Sequence, residues 1–508
     1  MYLRINSHAG PRRWTGLGDA DGHAASRERV KERVLSGSRK GTQPPNGPPV
    51  PNRDPARAIP PPPGRLLTRR SAIRAGLAGL LGAPFATSLG ASTATRPLAP
   101  GLRWSGRQGA QPDDEIVLGV SAAFSGPSRG LGTELYRGAM SCFGQVNEQG
   151  GVNGRRIVPR LYDDGYQPDP CVENTLKLML EDEVFLLFGY VGTPTVTRVL
   201  PLLKKFQDQQ MYIFFPFTGA QPQREPPYGE FAFNLRASYG QETAGLVDNF
   251  IRIGRRRIAV FYQADAYGRS GWAGVRAALA RHGETIAGEA TYRRGTQFTS
   301  IMRPQVEILQ EASPDAVICV GAYAACAAFA RDAVDLGLHV PIANLSFVGS
   351  ENLLSLLVGA SRDDPAYYTP WLVNSQVVPS YEDTSIPAIP EYRDLMDRYD
   401  PQVPEELVVE PYDPFPYSFT SLEGYLDAKL LTEILRRIDG TPERSKLNDA
   451  VFSVRDYDLG IGELVSFAPD RRQGLQSVYY TVVEDGRFVT LTDWEAKFGP
   501  TATDDEAS

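Results

Sequence analysis

Residues 116–168 read IVLGVSAAFSGPSRGLGTELYRGAMSCFGQVNEQGGVNGRRIVPRLYDDGYQP, and their pattern decides the fold class. The apolar run IVLGVSAAF has the length of a buried strand and ends in the turn-forming SGPSRGLG. A helical pattern follows over 134–149, and GRRIVPRLYDDG then reads as a second strand. A helix of this length between two strands specifies a parallel pair, because a parallel crossover must travel back along the sheet.

The same alternation continues outward. A helix opens at Asp169 and runs through VENTLKLMLEDE, VFLLFGYVGT is a strand, 194–209 a helix and MYIFFPFTGA a strand. The rhythm restarts with a helix over 241–253, the strand RRRIAVFYQAD, a helix over 271–282 and the strand-like GETIAGEATYRRG. Helices over 300–312 and 324–336 flank the strand PDAVICVGAY, and VPIANLSFVGS follows. WLVNSQVVPS then crosses back to helices over 389–399 and 417–438, and the Asp485-Gly486 turn marks hairpin material within 451–495. The expected architecture is α/β, two Rossmann-like lobes in tandem with parallel central sheets.

In open parallel sheets ligands bind beyond the carboxyl ends of the strands. Those ends carry SGP (125–127), GYVGTPT (189–195) and FTGA (217–220) in the first lobe, and QADAYG (263–268), GAY (321–323) and SFVGS (346–350) in the second. Backbone amides at helix starts with Ser and Thr hydroxyls suit a carboxylate or small polar group, and tyrosines supply apolar walls with a polar tip. By contrast, the chain offers little for catalysis. It has four His, no HExxH, no phosphate-cradling Gly-Lys-Ser/Thr loop and no GxGxxG after the first strand. Asp163-Asp164 reads as a loop or cap pair, and His282 and His339 as surface residues. Cys142, Cys319 and Cys326 read as packing residues, and Cys171, at a helix start, is the thiol whose reactivity merits a test. No catalytic residue, metal or cofactor is expected.

The 508 residues carry 42% hydrophobic and 10% aromatic residues, enough for more than one core, with a net charge of -7. That average hides a split. Residues 1–94 hold 15 Lys and Arg against 5 Asp and Glu, leaving 38 basic and 55 acidic residues in the remainder. An acidic body argues against nucleic acid as a partner. No apolar run approaches the roughly 20 residues that span a bilayer. Residues 1–66, rich in Pro, Gly and Arg, read as a disordered extension or as an over-long start, with Val30, Val34 or Leu66 marking alternative start codons. Residues 67–94 resemble a twin-arginine export signal: Arg69-Arg70, an Ala/Gly/Leu-rich run, then Ser92-Thr93-Ala94 as a small-x-small cleavage site. No Cys follows that run, so a lipid anchor is not expected. The protein is expected in the periplasm or another extracytoplasmic space.

Taken together, the 116–168 stretch, GYVGTPTVTRVLPLL, FPFTGAQPQR, the helix with Gln241 and Glu242, IAVFYQADAYGRSG and YSFTSLEGYLDAKLL resemble the branched-chain amino-acid-type solute-binding proteins of ABC importers, which have the type I periplasmic binding fold. The resemblance implies three crossovers, the first near 236–239 and the second near 374–378. It implies an N-terminal lobe of 115–236 with 377–450, a C-terminal lobe of 237–376 with 451–495, and an acidic tail over 496–508. The positions that hold a ligand carboxylate fall on Thr193, Thr218, Gly219 and Ala220, with Ser125 starting the first loop. Tyr267 and Tyr323 match aromatic positions of the second lobe. Amino-acid binders place a carboxylate before the VGS turn to pair with the ligand ammonium; here Ser346 and Phe347 occupy that loop. An uncompensated buried ammonium is costly, so an amide, a carboxylic acid or an aromatic acid fits as well, with Asp265 as the alternative counter-charge. The implied partners are a small-molecule ligand and the permease and ATPase subunits of an importer, the protein itself being a monomer or weak dimer. The alternatives are the same module feeding a receptor or kinase, and an α/β enzyme of the cleft.

Overall fold

The computed structural model describes residues 114–361 and 364–499. The basic extension and the export signal lie outside the described residues.

Two parallel-rich sheets organise the described residues. The first lobe begins with β1 (Glu115–Ala122), α1 (Arg129–Glu148), β2 (Arg156–Asp163) and α2 (Pro168–Leu180). It continues with β3 (Leu186–Phe188), α3 (Thr193–Lys205), β4 (Ile213–Phe214) and β5 (Ala232–Phe233). The second lobe follows with α4 (Tyr239–Arg252), β6 (Ile258–Gln263), α5 (Ala266–Arg281), β7 (Glu289–Tyr292), α6 (Arg303–Glu311) and β8 (Ala316–Val320). After these come α7 (Tyr323–Asp335), β9 (Ile342–Asn344), α8 (Ser350–Ala360) and β10 (Leu372–Gln376). The chain then returns to the first lobe with α9 (Ala388–Tyr399), α10 (Phe419–Arg436), α11 (Leu447–Phe452) and the small pair β11 (Tyr457–Asp458) and β12 (Leu464–Val465). It finishes on the second with β13 (Tyr479–Glu484), β14 (Arg487–Thr490) and α12 (Trp494–Phe498).

The first sheet runs β2-β1-β3-β4-β5, all parallel; the second runs β14-β13-β10-β9-β8-β6-β7, antiparallel only at β13 and β14. Three segments pass between the lobes among the described residues: after β5, after β10, and between Leu475 and β13.

Local chemistry explains the element ends. Ser238 and Gln241 form a reciprocal capping box at α4, Ser418 and Ser421 another at α10, and Asp265 caps α5 by accepting from the Tyr267 N–H. α1 starts at Arg129, five residues before the expected start at 134, because its small first turn lies against the end of β1. A Cβ at Gly132 would stand 2.1 Å from the Ala123 carbonyl oxygen. α8 has no counterpart in the sequence reading, since its Val-Gly-Ser start reads as the end of a strand.

Two boundaries are corrected. Residues 451–475 do not join the second lobe: Phe467 packs on Phe215 and Phe233, and Leu475 N donates to Leu235 O, all at the first sheet. Nor does the acidic tail begin at 496. Trp494 and Phe498 are buried one helical turn apart, with Trp494 edge-on to Phe250, so their apolar area anchors α12.

Candidate functional site

The carboxyl ends of both sheets face one cleft, and the lobes touch across it. Phe347 of the second lobe lies 5.8 Å from the Tyr166 ring and 5.3 Å from the Phe217 ring of the first. Gln263 Nε2 donates to Tyr166 OH at 3.3 Å, and Arg294 to Gln167 at 3.2 Å.

On the first lobe, Thr193 begins α3 and Thr218 follows β4, and their buried hydroxyls bond each other at 2.7 Å. Thr193 Oγ1 also lies 3.5 Å from Tyr239 OH. Gly219 has no room for a side chain: a Cβ there would meet the Tyr239 ring at 2.5 Å. Ala220 N donates to Thr218 Oγ1 at 3.3 Å, which closes a hydroxyl-and-amide patch under the Tyr239 ring. Ser125 stands at the next loop, held by Asp163, which accepts from its hydroxyl and from the N–H groups of Phe124, Ser125 and Gly165. Asp164 is buried, accepts from Ser121 Oγ and Tyr166 N, and burial pushes its pKa up to about 7. The acid pair therefore shapes the loop.

On the second lobe, Tyr267 is fully buried with its ring 5.1 Å from Tyr239 and 4.7 Å from Phe347. Its hydroxyl has no hydrogen-bond partner among the described residues. Ser346 N donates to Glu242 Oε2 at 2.8 Å. Tyr323 turns elsewhere, its hydroxyl accepting from Gly130 N at the first turn of α1. Asp265 is occupied, paired with Arg294 at 3.0 Å and accepting from Gln263 Nε2 at 2.7 Å.

A buried cation sits among these groups. Arg236, on the first crossover, lies 4.5 Å over the Phe217 ring and donates to Ser346 Oγ. Its nearest acids are Glu423 at 3.5 Å and Glu242 at 3.8 Å. Burial pushes Glu423 up to about 7 although Arg236 opposes it, and pushes Asp427, one turn on, well above the usual carboxylate range. Among the described residues no group of three His, Cys, Asp or Glu side chains is placed to hold a metal, and no helix is long and apolar enough to cross a membrane.

Residues 115–487 match the family model described as periplasmic binding protein. The chain belongs to the periplasmic binding protein family. Its relatives place it with the branched-chain amino-acid type. It is 23% identical over 256 residues to Leu/Ile/Val-binding protein homolog 3 of Brucella melitensis, covering 50% of this chain and 67% of the relative. It is 24% identical over 259 residues to the leucine-specific-binding protein of Salmonella typhimurium, with the same shares. The crystal structure of a possible leucine/isoleucine/valine-binding protein from Rhodopirellula baltica superposes with a TM-score of 0.67 at 30% identity, over 77% of this chain and 99% of that one.

For a periplasmic binding protein the cleft is the place to look for a ligand. The fold brings Thr193, Thr218, Gly219, Ala220, Tyr267, Ser346 and Phe347 together, while Ser125 and Tyr323 are engaged by Asp163 and by α1. The sequence reading assigns no site role to Arg236, Tyr166 or Tyr239. Tyr166 follows Asp163-Asp164, which read as a loop or cap pair, and Arg236 and Tyr239 lie in the crossover segment itself. A charged residue in a crossover was the available signal for Arg236. Cys171, the thiol singled out for reactivity, is fully buried and burial raises its pKa well above normal, so it is a packing residue, and all four cysteines are free.

Proposed function

We propose that this periplasmic binding protein captures a small polar ligand between its lobes by hinge closure and delivers it to the permease of an ABC importer. The observation that supports this best is the Tyr267 hydroxyl, buried and left without a partner, with its ring 5.1 Å from that of Tyr239, whose own hydroxyl lies 3.5 Å from Thr193. Thr193, Thr218 and the amides of Gly219 and Ala220 would hold an acid or amide end, with Ser125 beside them. Phe347, Tyr267 and the neighbouring rings would wall the body, with Tyr323 at the margin. The names of the relatives point to aliphatic amino acids, but Ser346 stands where such binders carry an acid, so acids and amides are the favoured classes.

A thermal-shift screen of residues 95–508 against amino acids, amides, small carboxylates and aromatic acids tests the reading. A ligand at a hundred times its dissociation constant adds about 2.7 kcal/mol to stability. Thr193→Ala and Tyr267→Ala should each weaken the hit; unchanged affinity in both would refute the assignment, and turnover of the hit would mean an enzyme. Export rests on the 67–94 segment, and a mature N-terminus other than Thr95 would displace the cleavage site.

A further inference from the structure

We infer that Arg236 is the counter-charge that selects the ligand, so that the protein binds a carboxylic acid with an apolar body and excludes the corresponding α-amino acid. The inference rests on the cleft being the ligand site.

Arg236 is 2% exposed, yet its Nε and Nη1 have no hydrogen-bond acceptor among the described residues. Two donors of a permanent cation are thus left without a hydrogen bond, as is the Tyr267 hydroxyl. A structural arginine in a core normally has its fork filled, because each unmade bond to a charged group is costly. The acids around it do not fill it. Glu242, on α4, spends Oε2 on Ser346 N and Ser375 Oγ, and its Oε1 stands 3.8 Å from Arg236 Nη2 with no hydrogen bond. Glu423 and Asp427, on α10, are pushed toward their neutral forms by burial. A second guanidinium, Arg224, donates to the carbonyls of Thr218, Ala220 and Arg236 and adds positive charge on the side of the hydroxyl patch. The centre therefore holds two guanidiniums, and the acids nearest Arg236 stand at 3.5 and 3.8 Å without a hydrogen bond to its Nε or Nη1.

A ligand carboxylate supplies the missing acceptors. A ligand ammonium would meet the guanidinium of Arg236 itself: Ser346 offers no charge, its hydroxyl already accepts from Arg236, and the nearby Glu242 and Glu423 already face that cation. Like charge next to a desolvated guanidinium is a means of rejection. Phe217 lies under the cation, and the rings of Phe347 and Tyr166 continue from it, which suits a flat or branched apolar body.

Calorimetric titration of the full chain with matched series decides the matter: 4-methylpentanoate, leucine and 4-methylpentanamide, then 3-phenylpropanoate, phenylalanine and 3-phenylpropanamide. In at least one series the acid should bind ten-fold or more tightly than both partners. Arg236→Gln should remove the advantage of acid over amide, and Arg236→Lys should keep part of it. Should Arg236→Gln fail to fold, Ser346→Glu decides: an acid placed beside Arg236 should turn the preference toward the amino acid. Tighter binding of the amino acid or the amide by wild type, or an acid preference unchanged in Arg236→Gln or Ser346→Glu, overturns the inference. If amide or amino-acid binding is found and Thr193→Ala removes it, the capture reading stands without the inference. If no member of either series binds the folded chain, the inference fails, and the wider screen judges the capture reading separately.

Discussion

Tyr267 and Asp163 show how single side chains divide between structure and binding. Asp163 accepts from one hydroxyl and three N–H groups, so each of its bonds is spent inside the loop. Tyr267 contributes apolar packing through its ring but leaves its hydroxyl unpaired. An unsatisfied buried polar group costs about 1–3 kcal/mol, and deleting it is neutral or favourable. Tyr267→Phe is therefore expected to match or exceed wild type in urea unfolding while binding its ligand more weakly in calorimetry. A stability loss beyond about 2 kcal/mol would mean that the hydroxyl has a structural partner. The Thr, Gly and aromatic positions of the loops were legible in the sequence because strand ends in parallel sheets are where such residues collect. Arg236 was not, because its donors without a hydrogen bond depend on where Ser346 and Glu423 come to lie, and both are distant in the chain.

At the scale of elements, the contact between α1 and α10 is set by two glycines. A Cβ at Gly138 would lie 1.7 Å from the Ser421 carbonyl oxygen, and one at Gly424 would lie 2.1 Å from the Leu135 carbonyl oxygen. Both obstacles are backbone, which cannot swing aside, so the helices must separate. Gly138→Ala should lose at least the 1–3 kcal/mol typical of overpacking, about the upper end or more. Gly359, also helical but with open space around it, is the control: Gly359→Ala should gain up to about 1 kcal/mol from helix propensity. Equal effects in denaturant melts would refute the close-packing account. The helical pattern of 417–438 announced α10 correctly, since apolar period is local information. Which face meets α1 is not local, and neither Gly138 nor Gly424 could be told from an ordinary helical glycine.

Across the whole molecule, burial raises three carboxyls together. Asp164, Glu351 and Glu423 are each pushed up to about 7, from ordinary values of 3.8, 4.5 and 4.5. The folded protein therefore keeps protons that the unfolded chain loses between about pH 4 and 7. Their stabilising contribution is complete below that window, falls as pH rises through it and is flat above about 7. Each carboxyl contributes on the order of 3 kcal/mol. The urea midpoint should be higher at pH 5 than at pH 8, and Glu351→Gln should reduce the difference; a midpoint that rises with pH would show these groups ionised in the fold. The alternation of strands and helices, the parallel sheets and the loops that form the cleft follow from short-range periodicity and turn chemistry, so the sequence by itself determined them. Where residues 451–475 attach, how closely α1 meets α10, and the gathering of Arg236, Ser346, Glu242 and Glu423 around one buried charge were decided only by the tertiary structure. Those features depend on distances between segments far apart in the chain, and the free energy of burying a charge exists only once the segments have met.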